Sequence, residues 1–121
     1  MFADTITITI NTVAKALVRI NQDAYSSEYL LRETTGEFRM KIRNTSYTDN
    51  KRGGIRVDRH AVELVQTLNA VAPAIYGLRR KAVVSFENDA TDTVVDPVKH
   101  TAGLEAFLSE ANLTKMANFE S

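Results

Sequence analysis

The chain has 121 residues, 15 of them basic and 15 acidic, so its formal net charge is zero. That length suits one domain, and 44% hydrophobic with 25% charged residues is a globular rather than a disordered composition. There is no cysteine, which removes disulfides, thiolate metal sites and cysteine nucleophiles. No apolar run approaches the ~20 residues of a membrane span and no charged-then-apolar leader opens the chain, so neither a membrane partner nor export is expected.

The neutral total hides an uneven distribution. Residues 1–38 hold three basic and five acidic side chains, residues 39–81 ten basic and three acidic (net +7), and residues 82–121 two basic and seven acidic (net −5). A zero total argues against a nucleic-acid partner, whereas a strongly basic middle argues for one.

Residues 4–10 alternate Thr and Ile, which predicts a half-buried strand with Ile6, Ile8 and Ile10 on one face. Asn11-Thr12 reads as a two-residue turn, although the glycine that favours such turns is missing. Residues 13–20 place Ala14, Ala16, Val18 and Ile20 on one face of a return strand. A helix capped by Thr12 fits the same stretch, with Val13, Ala16, Leu17 and Ile20 at helical spacing; the hairpin is preferred. After a polar connection at 21–26, residues 28–33 form a short strand, 34–36 a turn and 37–45 a clear strand. In the last, Phe38, Met40 and Ile42 alternate with Arg39, Lys41 and Arg43. Residues 46–54 carry turn chemistry, and 55–68 form a long strand with Val62, Leu64 and Leu68 opposite Arg59, Ala61, Glu63 and Val65. Residues 69–74 read as a loop with Pro73, and 76–88 as a strand around Ala82-Val83-Val84. Asp96 is then placed as a helix cap with Pro97 at the first helical position. Leu104, Phe107, Leu108 and Ala111 follow helical spacing, and a second short helix carries Leu113, Met116 and Ala117. The class is α+β: an N-terminal hairpin (1–20), an antiparallel sheet of about five strands (27–88) and two C-terminal helices (96–119), in a single domain.

The strongest local signal is Arg39-x-Lys41-x-Arg43. Strand alternation points the three cations to one sheet face about 6.6 Å apart, comparable to the phosphate spacing of a nucleic-acid strand. Arg59 and the Arg79-Arg80-Lys81 run add to that face if their strands are neighbours. An ordinary solvated face is the alternative for any one of these residues; the regional charge of +7 favours the nucleic-acid reading. Lys51-Arg52-Gly53-Gly54 is read as a solubilising turn and not a phosphate-binding loop, because no Gly-Lys-Ser/Thr follows. Tyr25, Tyr29, Tyr47 and Tyr76 are stacking candidates and equally ordinary sheet residues.

Catalysis finds no support. His60 and His100 lie 40 residues apart with no metal-ligand spacing, and no nucleophile elbow is present. His60 is read as partly buried and structural, and His100 as a surface residue. No cofactor or small-molecule substrate is expected. The acidic run Glu87, Asp89, Asp92, Asp96 has oxygen ligands that suit calcium but lacks a calcium-loop spacing, so solvation or helix-terminus electrostatics is the preferred account. The flat first strand and the apolar C-terminal helices suggest a symmetric dimer, with sheets joined edge to edge and helices exchanged.

These stretches also carry a resemblance. Asp4-Thr5-Ile6-Thr7-Ile8-Thr9, Arg19 to Tyr29, Glu33-Thr34, Phe38-Arg39, Lys41-x-Arg43 and Arg59-His60-x-Val62-Glu63 are similar to coat proteins of small single-stranded RNA bacteriophages, above all the Caulobacter-phage branch of that levivirus-like family. The resemblance spans the chain. It implies an interlocked homodimer with one continuous sheet and an icosahedral capsid. It also implies single-stranded genomic RNA bound on the inner sheet face, and residence in the virion after assembly in the host cytoplasm. In several relatives the dimer also grips a hairpin that represses replicase translation. By that pattern the RNA-facing residues are Arg39, Lys41 and Arg43 on one strand, Arg59, Ala61 and Glu63 on the next, and Arg80, Ala82 and Val84 on the last. Glu63 departs from a position that is often basic, and Ala82 from a stacking tyrosine. A structural calcium ion between subunits is the one cofactor left open. The alternative function is a dimeric RNA-binding translational regulator without a shell.

Overall fold

The computed structural model describes residues 1–120. Six strands form one antiparallel, curled sheet in chain order: β1 (Thr5–Ile10), β2 (Val13–Gln22), β3 (Ser26–Glu33), β4 (Gly36–Asp49), β5 (Ile55–Leu68) and β6 (Arg79–Asp89). Two helices follow, α1 (Val95–Phe107) and α2 (Glu110–Ala117). The expected α+β order holds. The hairpin is continuous with the sheet, because β2 pairs antiparallel with β3 from Val18↔Leu30 to Gln22↔Ser27, so there are six strands rather than five. The chain packs as two compact units. One comprises Met1–Ser46 with Arg59–Ser85, the other Tyr47–Asp58 with the residues from Phe86 onward.

The core of the first unit lies on one face of the sheet. Leu17, Tyr29, Phe38, Met40 and Ile42 are buried there, with Ile6, Ile8, Ile10, Leu31 and Leu64 packed around them. The Thr/Ile and Phe/Met/Ile alternations therefore point where the sequence predicts. On β2 the inward side is Lys15, Leu17 and Arg19, while Ala14, Ala16, Val18 and Ile20 face outward. Long cationic side chains close the core edge with their stems. Lys15 Nζ bonds Glu33 at 2.8 Å and lies 5.5 Å from the Phe38 ring centroid.

Arg19 ties the hairpin down. Its guanidinium donates to Asp4 Oδ1 (2.8 Å), Gln22 Oε1 (2.9 Å), the Tyr29 hydroxyl (3.1 Å) and the carbonyls of Phe2 and Ala3. Tyr29 in turn donates to Ala3 O at 2.9 Å. The fully buried ring of Tyr29 is thus a core residue with a satisfied hydroxyl, so of its two readings the ordinary sheet residue holds and the stacking one does not.

Several boundaries move for local reasons. The β1–β2 turn is formed by Asn11 (φ 49°) and Thr12 (φ 65°), both left-handed, so Ile10 pairs with Val13 without the usual glycine. Strand β4 runs to Asp49, four residues past the expected end. A 3₁₀ turn at Asn50–Arg52 and two left-handed glycines, Gly53 and Gly54, then make the reversal. Gly36 and Gly77 approach the end of β5 so closely that a Cβ would lie 2.0 Å from Thr67 O and 1.6 Å from Leu68 O, respectively.

Helix α1 begins at Val95, earlier than the predicted cap. Thr93 Oγ1 accepts from the Asp96 backbone N–H (3.2 Å) and donates to the Asp96 carboxylate (3.0 Å). Thr93 Oγ1 thus takes one N–H of the first turn, and Asp96 with Pro97 lies inside that turn. The predicted run to Ala111 is broken because Ser109 caps α2 by accepting from the Asn112 N–H at 3.3 Å. Apolar side chains on both helices, including Val98, Leu104, Phe107 and Met116, stand more than half exposed.

Leu17→Ala should cost about 3 kcal/mol in chemical denaturation, since a completely buried leucine is removed from a packed cluster. Thr12→Gly should raise stability by about 1 kcal/mol in the same measurement, because a β-branched residue leaves the left-handed region.

Candidate nucleic-acid interface

The face opposite the core collects the charge. Residues two apart on a strand share a face, so burial of Phe38, Met40 and Ile42 sends Arg39, Lys41 and Arg43 to the other side. The β3–β4 register sets Leu30 opposite Arg39, Glu28 opposite Lys41 and Ser26 opposite Arg43. Beyond β4, an open groove of about 380 Å³ is lined by Lys41, Arg43 and Thr45, by Arg59, Ala61 and Glu63, and by Lys81 and Val83. A smaller cleft shares Lys41 and Arg43 and adds Asn21, Ser26 and Glu28.

Lys41, Arg43, Arg59 and Glu63 therefore come together as the sequence predicts. Arg39 shares their face but is engaged: it bonds the Glu28 carboxylate and lies 3.7 Å from Glu37. Those carboxylates, Glu28 first, raise its pKa further above the ordinary arginine value. Arg80 is corrected. Its guanidinium donates to Gln66 Oε1 at 3.0 Å and lines a cleft with Ile10, Lys15 and Phe38, on the core side. Lys81 takes the place assigned to Arg80, and Val83 the place assigned to Ala82 and Val84. Parity in β6 is unreadable from Ala82-Val83-Val84 because three apolar residues in a row carry no alternation. Glu63 Oε1 lies 3.5 Å from Lys81 Nζ, so the groove holds an acid with a cation beside it.

His60 is half-buried with Nδ1 2.7 Å from Asn44 Oδ1, and His100 is exposed on α1, both as expected. Tyr25 and Tyr76 are exposed, and the Tyr47 hydroxyl donates to Glu87 at 2.9 Å. Arg52 is held by Asp49 (3.0 Å) and Asp89 (2.7 Å), which makes the Lys51–Gly54 turn a clamped reversal. The acidic run is spent locally, Glu87 on Tyr47, Asp89 on Arg52, and Asp92 and Asp96 around Thr93. Among the described residues no three His, Asp or Glu side chains are grouped to hold a metal.

A family model, the coat protein of phage phiCb5, matches residues 3–89. No curated protein matches. Among solved structures, the bacteriophage EMS014 coat protein superposes with a TM-score of 0.73 at 15% identity, over 89% of this chain and 74% of that one. The virus-like particle of Beihai levi-like virus 21 gives 0.69 at 14% identity, over 97% and 94%. The virus-like particle of bacteriophage ESE058 gives 0.63 at 18% identity, over 88% and 87%. At such identities these likenesses concern the fold.

The Arg52 clamp has a titration signature. The hydrogen bond from Arg52 is the largest influence holding both Asp49 and Asp89 below the ordinary carboxylate pKa. A depressed folded-state value means that the clamp's contribution is full above the unfolded carboxylate range and is lost as pH falls through the depressed value. Carboxyl-carbon NMR should show Asp89 titrating below the usual range, and Arg52→Gln should return it there.

Proposed function

Because the chain belongs to the phage phiCb5 coat protein family, and is accordingly a structural capsid protein and not an enzyme, we propose that it packages single-stranded genomic RNA against the basic face of its sheet. The observation that carries this reading is the groove in which Lys41, Arg43, Arg59 and Lys81 converge from three adjacent strands. Lys41 and Arg43 make no ion pair among the described residues, so their charge is available to phosphates. The mechanism is counterion release: each phosphate neutralised by a lysine or arginine frees a condensed cation, with no chemistry on the RNA.

The working unit we infer is a homodimer, assembled further into an icosahedral shell in the host cytoplasm. Strand β6 is an edge of the sheet, and unpaired edges favour strand addition. The helices leave Val98, Leu104, Phe107 and Met116 uncovered, which a second copy would bury. Sedimentation of RNA-free protein at micromolar concentration should therefore give a dimer; folded monomer alone would overturn this.

RNA uptake has its own test. Particles of Lys41→Ala/Arg43→Ala and of Lys81→Ala should show a reduced 260/280 nm absorbance ratio while uniform shells persist in micrographs. The log–log salt slope of RNA binding should fall by about 0.7 for each phosphate contact removed. Arg80→Ala should package as the parent does, because that side chain lies on the core side. Normal RNA content in the Lys41/Arg43 variant would sink the assignment of this face.

A further inference from the structure

Glu63 is out of keeping with a surface that only tracks phosphates. It is an acid within a groove lined by Lys41, Arg43, Arg59 and Lys81, where a carboxylate repels the RNA backbone. Its side chain is only 23% exposed, and Lys81 Nζ stands 3.5 Å away. A charge-assisted N–H···O bond closes to about 2.7–2.9 Å, so this pair is in contact without being tightly closed. Both groups keep hydrogen-bonding capacity, since a carboxylate has two acceptor oxygens and an ammonium three donors.

Resting on the RNA reading of this face, we propose that Glu63 and Lys81 together read the Watson–Crick edge of an unpaired guanine. Guanine presents two neighbouring donors, N1–H and the N2 amine, beside the O6 acceptor. The Glu63 carboxylate accepts from both donors as a fork, and the Lys81 ammonium donates to O6. Adenine and cytosine each offer one donor group on that edge and leave one carboxylate oxygen without a partner. Uracil offers one N–H between two carbonyl oxygens that face the carboxylate unfavourably. Unpaired bases are the form of RNA in which this edge is open to a protein side chain. Ala61 and Val83, on the same strands and the same face, give the flat base an apolar wall. The groove's 380 Å³ lies in the range of roughly 300–1,000 Å³ typical of small-ligand sites. The function of the pair is selectivity laid over a non-selective electrostatic surface.

The test uses the full chain freed of co-purified RNA and 5′-labelled uridine octamers whose central residue is uridine, guanosine, adenosine, cytidine or inosine. The guanosine octamer should bind about ten-fold more tightly than the uridine and adenosine octamers. Inosine, which lacks the N2 amine, should lose most of that advantage. Glu63→Gln, which is isosteric and should keep its circular dichroism spectrum, should bring all five octamers within about two-fold at an unchanged salt slope. Equal affinities for the parent protein with a steep salt slope would overturn guanine reading and leave the RNA face standing. A flat salt response would overturn the RNA face itself. Guanine preference surviving in Glu63→Gln would overturn the role given to this carboxylate.

Discussion

One face of the sheet is filled by the chain's own N-terminal hairpin, and Arg19 is the residue that makes this arrangement hold. Curling β1 and β2 back over β3 and β4 buries Leu17 and Tyr29 completely, but it also brings the Arg19 guanidinium into a largely buried position against the backbone carbonyls of Phe2 and Ala3. Burying a charge is costly unless its donors are met. Arg19 meets most of them, on a carboxylate, an amide, a phenol and two carbonyls, and only Nε is left without a partner. The same set of bonds fixes the Tyr29 ring, around which the buried cluster is organised. With that face full, period-two alternation leaves the charged half of β4 and β5 nowhere to go but the opposite one.

That opposite face is less basic than a count of its cations suggests. Glu28 and Glu37 take Arg39, so the middle of the Arg39-x-Lys41-x-Arg43 row is electrostatically stronger than its start. The cations that remain lie toward β5 and β6, where Arg59 and Lys81 extend the field sideways across strands. A row along one strand would follow one stretch of phosphate backbone. A patch spread over three strands accepts a backbone at several angles, which suits a partner whose sequence and path vary.

How much was legible in the sequence depended on whether a segment carries alternation. In β1 and the first part of β4 polar and apolar residues interleave, and their faces were readable residue by residue; in β5 the half-buried His60 was legible, but the buried Val57 was not and Val62 is 40% exposed. In β2 the apolar Ala14, Ala16, Val18 and Ile20 are small or peripheral, and the inward side is a leucine flanked by two cations whose stems pack while their charges pair. Hydropathy alone ranks these sides wrongly, because it scores Lys and Arg by the head group. In β6 the apolar run erased parity, and Arg80 and Lys81 exchanged faces. Tyr29 could not be told from the other three tyrosines because its two partners, Ala3 and Arg19, are remote in the chain. The helix start differs for a smaller reason: Asp96-Pro97 is a good cap signal, but Asp96 lies in the first turn, with its N–H taken by Thr93 three residues earlier.

The zero net charge is a constraint on arrangement. Many copies packed side by side repel one another if each carries a large charge of one sign. Here the acids are concentrated in the last third of the chain, seven against two basic residues, while the sheet strands carry the cations. Acids on the basic face then need an individual reason to be there, since each weakens the positive field of that face. Glu28 and Glu37 have one, because they hold Arg39 in place. Among the described residues Glu63 has the open 3.5 Å contact with Lys81. A carboxylate and an ammonium side by side in a cationic groove, each with hydrogen-bonding capacity left over, are the observation from which the proposed base-edge reading starts.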